Sequence, residues 1–360
     1  MATTAPSPAA AGSTGGATPP TATRDDRVGR RPLVATLLSR PEVGSVLGAV
    51  VIFALFLVVA PVFRNPASQG TVLYTSSTIG IMAVSVALLM IGGEFDLSAG
   101  VAVTTSGLTA SMTAYQLGLN VWVGVFIALV VSVGIGAFNG WLLMRTGLPS
   151  FIITLGTFFM LTGLNLGVTR LVADGVSTQN ISDMEGFASA KAVFASTVSV
   201  GGVNIQITVF WWLLMVAVST WFLLRTRAGN WVFAVGGDPK ASRAVGVPVR
   251  KTKIGLFMFV GFTAWFLGMH TLLNFNVVQS GQGIGNEFLY IIAAVVGGCL
   301  MTGGYGSTIG AAVGAFIFGM TVNGIVYAAW NPDWFRLFLG VMLLLATIVN
   351  LVVKTQAEKR

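Results

Sequence analysis

Ten long, mostly apolar segments make up most of this chain, and they limit its possible folds more than any motif does. They lie at about 44–63, 72–91, 98–117, 121–144, 150–169, 207–225, 253–274, 287–301, 306–329 and 335–353. A helix crosses bilayer hydrocarbon in ~20 residues, so segments of this length are read as spans. Only 9% of the chain is charged, against about 25% in a soluble domain. The expected fold class is an all-α integral membrane protein, a bundle of about ten transmembrane helices. The eighth segment is short, and with the Gly-rich 297–306 beside it reads as a broken helix.

The bundle is expected over residues 41–353, between a tail at 1–40 and another at 354–360. Residues 1–23 are almost all Ala, Thr, Ser, Pro and Gly. Such a composition cannot bury enough apolar surface to offset its ordering entropy, so the first tail is expected to be disordered. It lacks the early apolar run of a signal peptide.

Charge then sets the orientation. The 20 Lys and Arg against 12 Asp and Glu give a net +8. With ten spans and an inside N-terminus, 16 of the 20 basic residues fall on the cytoplasmic side, as the positive-inside rule requires. Arg64, Arg170, Lys191 and Arg336 remain outside. Both termini are then cytoplasmic. Because the excess charge sits in loops, it reports topology and not nucleic-acid binding.

The densest basic segment is the connection 226–252. Seven cations lie in or beside it: Arg225, Arg227, Lys240, Arg243, Arg250, Lys251 and Lys253. Within it the sequence spells a short helix with both ends marked. Asp238 is an N-cap and Pro239 suits the first helical position. Gly246 supplies a left-handed stop, and Pro248 prevents continuation. Ala241, Ala244 and Val245 fall on one face. A capped amphipathic helix on that side suits a groove on a soluble partner; the equal alternative is that it only connects two spans.

Two Gly-rich turns are expected on the same side. Gly92-Gly93 opens a turn that runs through Asp96 and Ser98, in which Asp96 can cap the next helix, and Gly297-Gly298 opens the other. Small-residue patterns at Gly134, Gly136 and Gly140, and at Gly310, Gly314 and Gly319, allow helices to approach closely. The long external connection at about 170–206 carries an apparent turn at Gly201-Gly202 and is a candidate contact for an external partner.

Several chemistries are excluded. One cysteine, Cys299, and one histidine, His270, leave no thiolate cluster or His-ligated metal site. The pattern G-x-x-x-x-G-K-[ST] is missing, so this chain has no P-loop of its own. No catalytic constellation emerges, and no cofactor is expected to bind this chain. The spans carry almost no ionisable groups, His270 being the clearest exception and read as a packed residue, not a proton relay. Neutral polar residues are plentiful. Thr154, Asn165, Asn274 and Asn276, with the rings of Phe151 and Phe158, form a candidate pathway for an uncharged polar solute such as a sugar. Asn139, Thr157, Thr271, Gln279, Gln282, Asn323, Trp265, Phe266 and Phe275 belong to the same wider set.

Four motifs in order resemble the membrane subunit of bacterial ABC sugar importers, in the ribose/xylose/galactose branch. They are Gly92–Gly100, Pro149–Thr157, the cytoplasmic Gly229–Val249 and Gly285–Gly306. The chain departs from the pattern at Glu287-Phe288-Leu289-Tyr290 and at Cys299. The resemblance implies a pore built from two permease copies. It also implies two cytoplasmic ATPase subunits that bind ATP and magnesium and press on the helix at 238–246, and a separate external protein that delivers the sugar. An ion-coupled secondary carrier of a neutral solute is the alternative.

Overall fold

Inside a bilayer a backbone has no water to bond, so a chain that crosses it must satisfy its own amides, and helices do this within one segment. The computed structural model describes residues 41–358, with side chains from 42 to 348. The expected tail at 1–40 lies outside the described residues. Thirteen α-helices are present among them. Ten occupy the ten expected segments: α1 (Pro41–Val59), α2 (Pro66–Ile91), α3 (Ala99–Leu117), α4 (Val121–Thr146), α5 (Ser150–Ala173), α7 (Ile207–Arg225), α10 (Val249–Phe275), α11 (Asn286–Val296), α12 (Thr308–Tyr327) and α13 (Trp334–Glu358). Three more, α6 (Phe187–Phe194), α8 (Arg227–Gly237) and α9 (Pro239–Ala244), lie in connections. Seven of the described helices are long and apolar enough to cross a membrane. The chain is an all-α, multi-pass membrane protein.

Local chemistry explains the helix ends. Asn65 accepts the Ala67 N–H with Pro66 at the first helical position of α2. Asn120 does the same for α4 through Trp122, and Ser307 starts α12 through Gly310. These side chains satisfy amides that the helix itself leaves unpaired. The eighth segment ends at Val296, earlier than expected, because Gly297 and then the left-handed Gly298 close it.

The helices form two inverted units. At the centre, α2 and α10 run antiparallel. Leu256 lies at Gly92, Ser85 and Thr263 share a hydroxyl bond of 2.6 Å, and Tyr74 meets His270 at 3.1 Å. Around this pair the contacts are duplicated. α4 packs along α10 as α12 packs along α2; α3 crosses α10 and α4 as α11 crosses α2 and α12; α5 covers α3 as α13 covers α11. The second unit is thus the first turned upside down, the inverted-repeat plan common in transporters.

The α4–α10 seam shows how small residues permit this. A Cβ on Gly136 would strike the Phe257 carbonyl, one on Gly140 the Ile254 backbone, and one on Gly261 the Ser132 carbonyl. Gly134, two residues from Gly136, faces open space.

The expected external connection is structured. It holds α6 and a hairpin of β1 (Thr197–Val200) and β2 (Val203–Gln206). Gly201 and Gly202 form its turn with φ of 60° and 83°, values that only glycine adopts readily. Just before α6, residues 176–181 bond the strand-like 276–280. Thr178 N–H donates to Val278 O at 3.0 Å, and Ser280 N–H to Val176 O at 2.9 Å.

The seam yields a test. Gly136→Val overpacks α4 against α10 and should cost ~1–3 kcal/mol or more, read as a lowered thermal midpoint in detergent. Gly134→Ala should leave the midpoint unchanged, and equal losses at both sites would refute this packing.

Candidate functional site

The basic connection folds as two helices with a sharp corner. Thr226 caps α8 by accepting the Gly229 N–H at 3.0 Å. Asp238 caps α9, its Oδ1 accepting from Lys240 N–H at 2.8 Å and Ala241 N–H at 3.0 Å. Those two bonds hold the Asp238 carboxyl below the usual carboxylate range. The cap therefore stays ionised at neutral pH and weakens only as acid titrates it through that lowered pKa. At the other end Gly246 has φ 85°, and the Val247 N–H returns to Ser242 O. Ser242 is buried toward α8 and α10, while Pro239, Ala241, Arg243 and Ala244 are exposed. Val245 is 80% exposed. The apolar side of this short helix thus faces outward, ringed by Lys240, Arg243, Arg250 and Lys251.

Behind α9 two glycine turns meet the last turn of α8. Gly93, Gly236 and Gly303-Gly304 stack backbone on backbone, and a Cβ on Gly236 would collide with Ile91 O and the Gly304 amide. Gly304 N–H also donates to Ile91 O at 2.8 Å. Gly92-Gly93 and the loop after Gly297-Gly298 therefore lie at the end of the bundle that holds α8 and α9.

From that junction residues 94–98 run into the bundle as non-helical chain, turning at 97–98 before α3 begins. Their amides are met by side chains of α5: Phe95 N–H donates to Ser150 Oγ and Leu97 N–H to Thr154 Oγ1, both at 3.1 Å. Asp96 does not cap α3 as expected. Its Oδ1 takes the Ser98 N–H at 2.8 Å and the Ser98 hydroxyl at 2.5 Å, because it sits two residues before the cap position, which Ser98 occupies. Asn139 donates to Ser98 Oγ at 3.0 Å, and Thr157 to Asn139 Oδ1 at 2.6 Å. Asn165 reaches Val101 O at 3.5 Å. α11 starts from the opposite side, after turns at 281–285 and with the left-handed Gly285 as its N-cap. The starts of α3 and α11 abut, with Gly100 against Gly283 and the Glu287 carboxylate.

The bundle is more ionisable than its sequence suggests. Asp96 and Glu287 are 3% and 2% exposed. Both Glu287 oxygens lie 3.1 Å from the Gly285 N–H, at the positive start of α11. Lys253 is not a loop cation; it sits in the first turns of α10, paired with Glu94, the two side chains 11% and 9% exposed. The expectation of nearly charge-free spans is corrected here, because each charge meets a partner or a helix start. Residues 94 and 253 are far apart in sequence, and each flanks an apolar run, so nothing local joins them. Glu287 stands within a recognised motif, yet only the fold shows the backbone turn it closes.

A cavity of about 390 Å³ opens at the far half of the bundle, between α2, α3, α10, α11, α12 and α13. Thr75, Thr78, Thr104 and Thr271 line it, with the amides of Gln282 and Asn286. Tyr74 and Phe275 add rings. His270 forms part of the wall and uses both nitrogens. Nδ1 donates to Phe194 O at 2.8 Å, since a carbonyl only accepts, and Nε2 takes Tyr74 Oη at 3.1 Å. Of the six candidate pathway residues, Asn274 adjoins this cavity through Tyr74 Oη at 3.4 Å, and Asn276 ends α10 with φ 65°. Thr154 and Asn165 are buried in the α3–α5 seam, Phe158 is half-buried, and Phe151 is 54% exposed on the outer face of α5. The six are not brought into one place.

An inverted bundle with helices that start inside it and a polar cavity between its halves has the plan of a multi-pass transport permease. Residues 69–347 match the family described as the branched-chain amino acid transport system permease component, and the chain belongs to that family. It is similar to the galactose/methyl galactoside import permease protein MglC of Escherichia coli (strain K12), at 30% identity over 86% of this chain and 94% of that one. It is also similar to the ribose import permease protein RbsC of the same organism, at 28% over 86% and 93%. The autoinducer 2 import system permease protein LsrC of Enterobacter sp. (strain 638) matches at 29% over 87% of each chain. No solved structure matches at comparable significance.

Breaking the buried ion pair from one side should be costly. Lys253→Met alone strands Glu94 and should destabilise by ~3–5 kcal/mol, whereas Glu94→Leu with Lys253→Met should recover most of that loss. Thermal unfolding of the four variants in the cycle checks this, and additive losses would show that the pair is not coupled.

Proposed function

We propose that this chain is the membrane-spanning permease subunit of an ATP-driven importer of the ABC class, and that it moves a monosaccharide of the pentose or hexose class. The observation that carries this reading is α9, a capped helix whose apolar side is exposed at the basic end of a membrane bundle. A surface of that kind suits a groove on a soluble subunit. The names of the three relatives, which specify import of galactose, ribose and autoinducer 2, support it.

In this reading the basic end is cytoplasmic, both termini lie inside, and the protein sits in the bacterial inner membrane, its apolar flanks against lipid. Cytoplasmic ATPase subunits bind ATP and magnesium; this chain binds no cofactor of its own and catalyses no reaction. Asp238, Pro239, Ala241, Arg243, Ala244 and Gly246 form the coupling element. Movement of α9 passes through α8 to the junction at Gly92, Gly93, Gly297 and Gly298, and along 94–98, including Asp96 and Ser98, to the start of α3. A second copy of the permease completes the pore as a homodimer, with Phe151 and Phe158 of α5 on its pathway. Thr154 and Asn165 hold that wall, and Asn274 and Asn276 flank the outer entrance. An external sugar-binding protein delivers the solute to the side bearing α6 and the hairpin.

Gly246→Val should abolish ATP-driven sugar uptake in reconstituted vesicles while membrane insertion persists, because a β-branched residue resists φ 85°. Arg243→Glu should reduce recovery of the ATPase in a pull-down. Normal uptake by the first variant, or undiminished recovery with the second, would remove α9 from the coupling role.

A further inference from the structure

The cavity between the two inverted units has the chemistry of a binding site. Among the described residues that line it there is no Lys, Arg, Asp or Glu. A charged solute would leave water there with no counter-charge on the wall, since Glu287 below the floor is 2% exposed and turned to the Gly285 N–H, and that is expensive. A neutral solute faces no such cost.

The hydroxyls on the wall share one orientation. Thr75, Thr78 and Thr271 each donate to a carbonyl of their own helix, at 3.1, 2.9 and 2.9 Å. Thr75 Oγ1 also accepts from Asn323 Nδ2 at 3.0 Å, and each of the three oxygens keeps at least one lone pair for an outside donor. Gln282, exposed and without a side-chain bond to another described residue, offers both a donor and an acceptor. Phe275 and Tyr290 supply apolar faces. Acceptor hydroxyls, an amide and ring faces together match a ring-shaped polyol, with O–H groups at its edge and C–H groups on its faces. The size, about 390 Å³, lies within the ~300–1,000 Å³ of small-molecule sites.

The floor of the cavity is the place where α3 and α11 start. Thr104 of α3 touches Gly283, and Gly100 lies one turn earlier beside Glu287. The non-helical segment 94–98, which leads back to the glycine junction and α9, ends at this floor. Any shift of that segment would reshape the cavity.

We propose that this cavity is a complete neutral-polyol site within a single copy of the chain, so that a permease of two copies carries two sites of its own besides any passage between them. The choice of ligand class rests on the import reading above. The native cysteine assists the test, because Cys299 is fully buried and leaves the wild-type chain without an accessible thiol among the described residues. Thr271→Cys, and Thr75→Cys on the opposite wall, would be assembled with the ATPase and the binding protein in vesicles. A small water-soluble methanethiosulfonate would then be applied from the external side, with D-ribose, D-galactose or D-fructose present in turn. Uptake of each sugar would be measured separately with the wild-type complex.

The sugar that is taken up should slow modification at both positions about tenfold when present at ten times its dissociation constant. Ser199→Cys, on the exposed hairpin, should react at the same rate with or without it. If that sugar is transported with ATP yet protects neither position, the cavity is not its site, and the importer reading stands. If a sugar protects both positions but no ATP-driven uptake occurs, the site stands and the importer reading falls. Equal protection by the phosphate ester of the sugar would overturn the neutral class, and protection by none of the three would overturn the assignment to sugars.

Discussion

Each backbone amide that leaves a helix inside this bundle must find a partner in protein, because lipid offers none. The architecture turns on how two stretches meet that demand. Residues 94–98 are satisfied by Ser150, Thr154 and Asp96; residues 276–280 by a neighbouring strand-like segment and by Thr178, whose hydroxyl takes the Val278 N–H at 3.1 Å. With those bonds made, α3 and α11 can begin deep in the bundle, and a polar cavity can exist beside them. Without them both helices would have to start at a membrane surface and the cavity floor would vanish.

The same two stretches join the ends of the molecule. One leads from the cavity floor to the glycine junction and the Glu94–Lys253 pair, and so to α9. The other leads from the floor to residues 176–181, α6 and the His270–Phe194 bond. Because the units are inverted, each end has its own extended path to the middle. The two ends of the molecule are therefore both joined to one place, from opposite directions.

Much of this was legible in the residues. Apolar runs of span length located ten of the thirteen described helices, and the Asp-Pro…Gly-x-Pro pattern around α9 marked both ends of a helix of only six residues. Short, local chemistry of that kind survives in sequence because caps and left-handed stops depend on neighbours. The charges inside the bundle were not legible. Lys253 resembled one more loop cation until the fold set it beside Glu94, 159 positions away. The cavity was legible only in pieces. Thr271, Gln282 and Phe275 stood in the wider polar and aromatic set, while Tyr74, Thr75 and Thr78 looked like ordinary helix residues. Nothing in a single helix says which face will meet a partner from the inverted unit.

The glycine junction has a consequence for how this protein can vary. Gly93, Gly236, Gly303 and Gly304 touch through main chain alone. A contact made of side chains can be trimmed, swapped or repacked, and its loss in one place can be offset in another. Here there is nothing to trim, and every replacement inserts a wedge. Drift at these four positions therefore has only one direction, and no substitution elsewhere can make room without moving α2, α8 and the 299–306 loop together.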